Sequence, residues 1–195
     1  MKNVFIINGW HQFPTAKGTF NKSLFSISKS YFIDTDKYRV HTTEINLNYN
    51  IKAEVKKFVA SDIIIYHTPI WWFSLPFNFK KYLDEVLTAG HANGIWTSDG
   101  RSHDNPEMNY GTGGLLQNKH YILTTSWNAP QGAFSLPNEF FNETGVDDGP
   151  MSGFHAMNRY LGMNMHSSLH FHDVEKNADT KAMLEEYQLF LSQNF

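Results

Sequence analysis

Two unbroken apolar runs constrain this chain more than any other feature. Val4-Phe5-Ile6-Ile7 stops at Asn8-Gly9, and Ile63-Ile64-Ile65-Tyr66 is closed by Thr68-Pro69. Runs of this length with no polar alternation have no solvent face, so they read as strands covered on both sides, the condition of a parallel sheet. Helical stripes lie between them. Phe20, Leu24, Ile27 and Tyr31 recur at spacings of four, three and four from near Gly18, while Ile51, Val55, Phe58 and Val59 form a second face with Asn50 as N-cap. Tyr38 to Ile45 alternates weakly and predicts a more exposed strand. Further helices are expected over Phe77 to Leu87 and Phe154 to Leu161, with a closing stripe of Met183, Leu184, Tyr187 and Leu191. Tyr121 to Thr125 and Met165 to His172 complete the strands.

Strands that alternate with helices pair in parallel through right-handed crossovers, giving an open α/β sheet with helices on both faces. Five strands and about five helices in 195 residues suit the order 2-1-3-4-5, in one domain covering residues 1–195. Periodicity disappears from Gly90 to Gly114, where six of the 13 glycines collect, so a loop insertion is expected there.

Composition narrows the function. A net charge of −3 argues against nucleic acid or an anionic membrane as partner, since both recruit clustered Lys and Arg. The absence of cysteine excludes a disulfide framework, thiolate metal ligands and a cysteine nucleophile. The opening apolar run is too short for a signal-peptide core, and no stretch is long enough to cross a bilayer; the expected location is cytoplasmic.

In an open α/β sheet the ligand lies beyond the carboxyl ends of the strands. Trp10, Trp71, Trp72 and Trp127 all follow predicted strands closely, which suggests a wall of indoles for a flat conjugated ligand. The segment Asn8 to Ser23 runs from strand through polar loop to helix start. Its first-turn amides, with Lys17 and Lys22, suit a phosphate, although it matches neither the P-loop spacing nor a G-x-G-x-x-G fingerprint. Tyr110-Gly111-Thr112-Gly113-Gly114 permits close backbone approach and reads as a lid or pocket wall. His166, His170 and His172 lack the further ligand that a metal centre needs, and Ser126 lacks the surroundings of a nucleophile elbow.

The motifs Ile6-Ile7-Asn8-Gly9, Pro69-Ile70-Trp71-Trp72 with Pro76 and Lys80-Lys81-Tyr82, Gly90-His91, Ser98-Asp99-Gly100-Arg101, Tyr110 to Gly114 and Trp127-Asn128-Ala129-Pro130 occur in one order along nearly the whole chain. Together they resemble the modulator of drug activity B branch of the flavodoxin-like NAD(P)H:quinone oxidoreductases. The resemblance implies a flavodoxin-like fold and a homodimer. It also implies FAD, with FMN as the alternative, and NADPH or NADH as co-substrate for two-electron reduction of a quinone or another flat electrophile. Carried over, the pyrophosphate and adenosine loop falls on Ala16, Lys17, Gly18, Thr19, Phe20, Asn21, Lys22 and Ser23. The isoalloxazine turn falls on Pro69, Ile70, Trp71 and Trp72, a further contact on Tyr110, and the last flavin loop on Ser126, Trp127, Asn128 and Ala129.

This implies ping-pong hydride transfer, in which the protein supplies planar confinement, exclusion of water and donors near the reduced ring. Tyr110 and the amides of Gly113 and Gly114 are candidate donors, and His155 is a candidate proton donor. The competing readings are an FMN-dependent azo- or nitroreductase and a flavodoxin-type electron carrier; a flavin-free scaffold would use the indoles as interface anchors.

Overall fold

The computed structural model describes residues 1–13 and 16–195; Pro14 and Thr15, within the expected phosphate loop, lie outside the described residues. Five strands, β1 (Lys2–Asn8), β2 (Tyr38–Glu44), β3 (Ile63–Pro69), β4 (His120–Ser126) and β5 (Asn164–Phe171), form one sheet. Their order is β2-β1-β3-β4-β5 and every neighbour is parallel, so the expected topology holds. The helices are α1 (Thr19–Asp34), α2 (Ile51–Ala60), α3 (Phe77–Ala89), a short α4 (Gly132–Ser135), α5 (Ser152–Tyr160) and α6 (Thr180–Asn194). The chain between α3 and β4 contains neither helix nor strand, only isolated bridges from Trp96 to His91 and to Gly114.

The unbroken runs divide their side chains between two cores. Phe5, Ile7, Ile64, Tyr66, Tyr121 and Leu123 face α2, α3 and α5, whereas Val4, Ile6, Ile63, Ile65 and Ile122 face α1 and α6. Each alternate residue therefore loses its water to a different layer, which is why the sequence shows no alternation. At the start of α2 the Asn50 side chain accepts from the Ala53 amide at 3.0 Å, the cap expected from sequence.

The buried face of α1 is rotated from the expected stripe. Asn21, Leu24, Phe25, Ser28 and Phe32 are buried, while Phe20, Ile27 and Tyr31 sit half-buried at its flank. Polar partners account for the rotation. Asn21 Nδ2 donates to Ser126 Oγ at 2.7 Å, and Ser28 Oγ lies 2.9 Å from His67 Nε2 and 2.6 Å from the Tyr187 hydroxyl. Counting apolar residues alone misplaces a helix whose inward face carries bonded polar groups.

His67 closes this network by bonding Thr124 Oγ1 through Nδ1 at 2.7 Å. Both ring nitrogens are satisfied without a charge, and burial pushes the imidazole pKa down from 6.5 to about 3. The unfolded chain accepts a proton below its ordinary pKa and the folded chain resists it. Stability is thus complete above pH 6.5 and falls as pH drops from there toward 3, by up to about 1.4 kcal/mol per unit. Urea unfolding at pH 7 and pH 5 should show a shallower pH slope for His67→Gln than for the parent; equal slopes would contradict a neutral buried histidine.

Candidate functional site

Beyond the ends of β1, β3 and β4 the loops enclose two adjoining hollows of about 460 and 490 Å³. The first is built on the turn that leaves β1. Gly9 donates to the His67 carbonyl at 2.7 Å, and any Cβ at Gly9 would fall 2.4 Å from the Phe79 ring. This close packing delivers Trp10, only 4% exposed, beneath the start of α1. A Cβ on Gly18 would lie 1.6 Å from Trp10 Nε1, and Gly18 has φ +64°, so both space and backbone conformation demand glycine there.

Gly18 caps α1 without a side chain, and the first intrahelical bond runs from Lys22 N to its carbonyl at 3.0 Å. The amides of Thr19, Phe20 and Asn21 consequently have no partner within the helix, and no acidic residue stands in the first turn. Lys17 lines the same hollow. Asn21 is buried with its Oδ1 unpartnered while Nδ2 holds Ser126. A positive helix end, a nearby cation and an orphaned acceptor form a cradle for an anionic ligand that also carries a donor. A flavin nucleotide, with phosphate, hydroxyl and ring groups, fits that donor set.

The second hollow is aromatic. Residues 71–74 form a two-residue hairpin in which Trp71 and Ser74 exchange backbone bonds at 2.9 and 3.0 Å. Its central residues Trp72 and Phe73 have φ +49° and +63°, the left-handed pair of a type I′ turn, which usually favours Asn-Gly. Trp71 and Trp72 line the hollow with Phe13, Leu75 and Phe77, and Trp72 is 94% exposed. Ala16, Ile70, Trp71, Asn128 and Glu175 border both hollows.

Of the residues expected from sequence, Ala16 to Asn21, Pro69, Ile70, Trp71, Ser126 and Asn128 meet at the first hollow, and Trp72 lines the second. Others are placed differently. The Lys22 ammonium sits 3.8 Å from the centre of the Trp10 ring, and Ser23 Oγ donates to the Thr19 carbonyl of its own helix. Ala129 contributes a carbonyl that accepts from the Asp173 amide at 3.1 Å.

Trp127 is the main correction. Its indole is buried, donates to Thr125 Oγ1 at 2.7 Å and packs edge-on against Phe134, so it belongs to the core and not to a ligand wall. From Phe134 the ring contacts continue through Phe141 to Phe73, which stacks on Phe140. This ladder fastens the loop after β4 to the 71–74 hairpin.

Tyr110, Gly113 and Gly114 do not reach either hollow within one chain. Tyr110 lines a separate groove with Trp96 and Tyr160, under the Arg101 guanidinium. A Cβ on Gly113 would meet the Ser98 carbonyl at 2.0 Å, and one on Gly114 would meet Leu161 backbone at 2.2 Å. These glycines permit chain crossings. His155 is likewise remote: its Nε2 lies 2.8 Å from Asp147 Oδ1 and its Nδ1 2.7 Å from the Tyr121 hydroxyl. Asp147 also receives Ser168 Oγ and lies 3.0 Å from His170 Nε2. Burial alone would raise this carboxyl, but its hydrogen bonds outweigh that and hold it well below the usual range. The network ends at Thr125 and the Trp127 N–H, so among the described residues no hydrogen-bonded route leads from His155 to the hollows. Of the other histidines, His172 packs on Phe134 and His166 on Phe195.

Sequence reasoning missed Phe13, Leu75, Phe77, Val174 and Glu175 as lining residues. The available signal was positional, because the loop after β5 also leaves the carboxyl edge of the sheet.

The family model described as "Flavodoxin-like fold" matches residues 7–191. The NADPH:quinone oxidoreductase MdaB of Haemophilus influenzae is 37% identical over 193 residues, covering 99% of each chain. An uncharacterised protein of Schizosaccharomyces pombe is 39% identical over 174 residues, or 89% of this chain and 87% of its own. The structure of general stress protein 14 of Treponema denticola in complex with FMN superposes with a TM-score of 0.68 at 20% identity, covering 99% of both chains.

The packing of Gly18 on Trp10 yields a stability test. Gly18→Ala should cost about 2 kcal/mol or more, from the clash and the left-handed backbone. Trp10→Ala in the same chain should return part of it, and additive effects in the double-mutant melts would count against a direct contact.

Proposed function

The chain belongs to the modulator of drug activity B branch of flavodoxin-like quinone oxidoreductases, and from that membership we propose that it reduces quinones by two electrons with NADPH or NADH through a bound flavin. The observation that carries this reading is the pairing of an anion cradle with an aromatic slot at one sheet edge. The proposed group is FAD. When bound it would supply two-electron hydride chemistry between the nicotinamide and the quinone in alternating half-reactions.

The remaining contributions are the chain's own. The amides of Thr19, Phe20 and Asn21 with Lys17 would hold phosphate, and Asn21 Oδ1 would accept from a ligand hydroxyl or amide. Trp71 and Trp72 would confine a flat ring, and Phe13, Leu75 and Phe77 would keep water from the second hollow. No His155 proton transfer is included, because its ring nitrogens are committed to Asp147 and Tyr121.

A homodimer is the proposed assembly. Trp72 and Phe77 stand exposed at the second hollow and Phe140 stands exposed where it stacks on Phe73 of the same hairpin, a concentration of apolar surface typical of interfaces and ligand sites. Tyr110, Gly113 and Gly114 would contact the ligand only if a second copy supplied them. A cytoplasmic location suits the cysteine-free chain, and protection against quinone stress is the proposed role. The second reading is an FMN-dependent azo- or nitroreductase. It is favoured by the first hollow, whose phosphate donors would serve a mononucleotide equally well.

The purified protein should be yellow, bleach with NADPH and recolour with a quinone, and the acid-released pigment distinguishes FAD from FMN. A colourless protein that takes up neither flavin overturns the proposal. Trp72→Ala should weaken flavin affinity by about tenfold, measured by titration of the apoprotein, in keeping with roughly 1.4 kcal/mol for a stacking contact.

A further inference from the structure

We propose that Glu175 sets the charge preference of the aromatic hollow, favouring neutral or cationic flat acceptors over anionic ones; the inference rests on the quinone-reductase reading above and adds to it that the acceptor enters through this hollow against the confined ring. Glu175 lies in the loop between β5 and α6, and its backbone is firmly anchored. Asp173 adopts φ +57° and donates its amide to the Ala129 carbonyl at 3.1 Å, while Val174 donates to the Trp127 carbonyl at 3.0 Å. The Asp173 carboxylate in turn accepts from Asn177 Nδ2 at 2.8 Å. This turn holds Glu175 at the lip common to both hollows.

Lys17 lines the phosphate hollow only, whereas Glu175 borders both hollows and is the one charged residue among the described residues that line the aromatic one. Among the described residues no Lys, Arg or His nitrogen lies within 4.0 Å of its carboxylate. Glu175 is exposed, so water and salt screen its charge in the free protein, but a flat ligand entering beside the rings displaces part of that water and meets the field of the carboxylate. The rings attract cations through their faces as well, which adds in the same direction. Anionic acceptors therefore meet repulsion from the carboxylate and gain nothing from the wall.

The test compares one naphthoquinone ring with and without a sulfonate. For the parent, Glu175→Gln and Glu175→Lys, kcat/KM is measured with saturating NADPH, and the dissociation constant of each quinone is measured by quenching of tryptophan fluorescence. The neutral-to-anionic preference should fall by about three- to tenfold at each charge step, so that Glu175→Lys favours the sulfonate. Raising salt from roughly 0.02 to 0.5 M should compress the differences. Ratios that stay constant across the three proteins, in turnover and in binding alike, overturn the proposal. If none of the proteins turns over either quinone, the reductase reading fails, and the binding ratios alone still decide the role of Glu175.

Discussion

A parallel sheet must be covered on both faces, and that constraint organises everything else in this molecule. Once α1 and α6 close one side and α2, α3 and α5 the other, both faces of the sheet are covered and a ligand is left to the strand ends and the loops beyond them. The carboxyl ends hold the advantage because the crossover into α1 presents bare amides there. The cradle proposed to hold an anion at this edge thus follows from connectivity, and the residues refine it: Gly18 for the approach, Lys17 for charge and Asn21 for an orphaned acceptor.

The two cores are not wholly apolar, and their polar members sit under the functional edge. Asn21 bridges α1 to Ser126 at the end of β4, and Ser28, His67, Thr124 and Tyr187 tie α1 and α6 to the middle of the sheet. On the other face Asp147 gathers two histidines and a serine against β4 and β5. Such bonds are short-ranged and directional, so they fix the angle at which a helix meets the sheet in a way that hydrophobic burial does not. The loop geometry at the ligand edge inherits that precision.

Much of the architecture could be read from the chain because strand burial leaves a direct mark. The runs at Val4 and Ile63 announce strands with no solvent face, and Asn50 announces a helix start. The turn proposed to hold phosphate has a local form that can be read in the same way, since Gly18 stands at a helix entry followed by unblocked amides. Tertiary choices were less visible. Nothing near Trp127 shows that its ring turns toward Phe134, whereas the Trp71-Trp72 pair is carried outward on a tight hairpin. Glu175 was hidden because a single carboxylate in a polar loop looks like any solvated residue. Tyr110 and the glycines near it carry a family pattern, but the chain folds them against Ser98, Tyr160 and Leu161.

The hairpin carrying Trp72 and Phe73 has a consequence for how this chain can be improved. Two bulky residues occupy a pair of left-handed positions that each disfavour a side chain by about 1–2 kcal/mol. A sequence optimised for thermal resilience alone would drift to Asn-Gly there and lose both the rim of the slot and the stacking on Phe140. Robustness and the proposed ligand capture pull this corner in opposite directions.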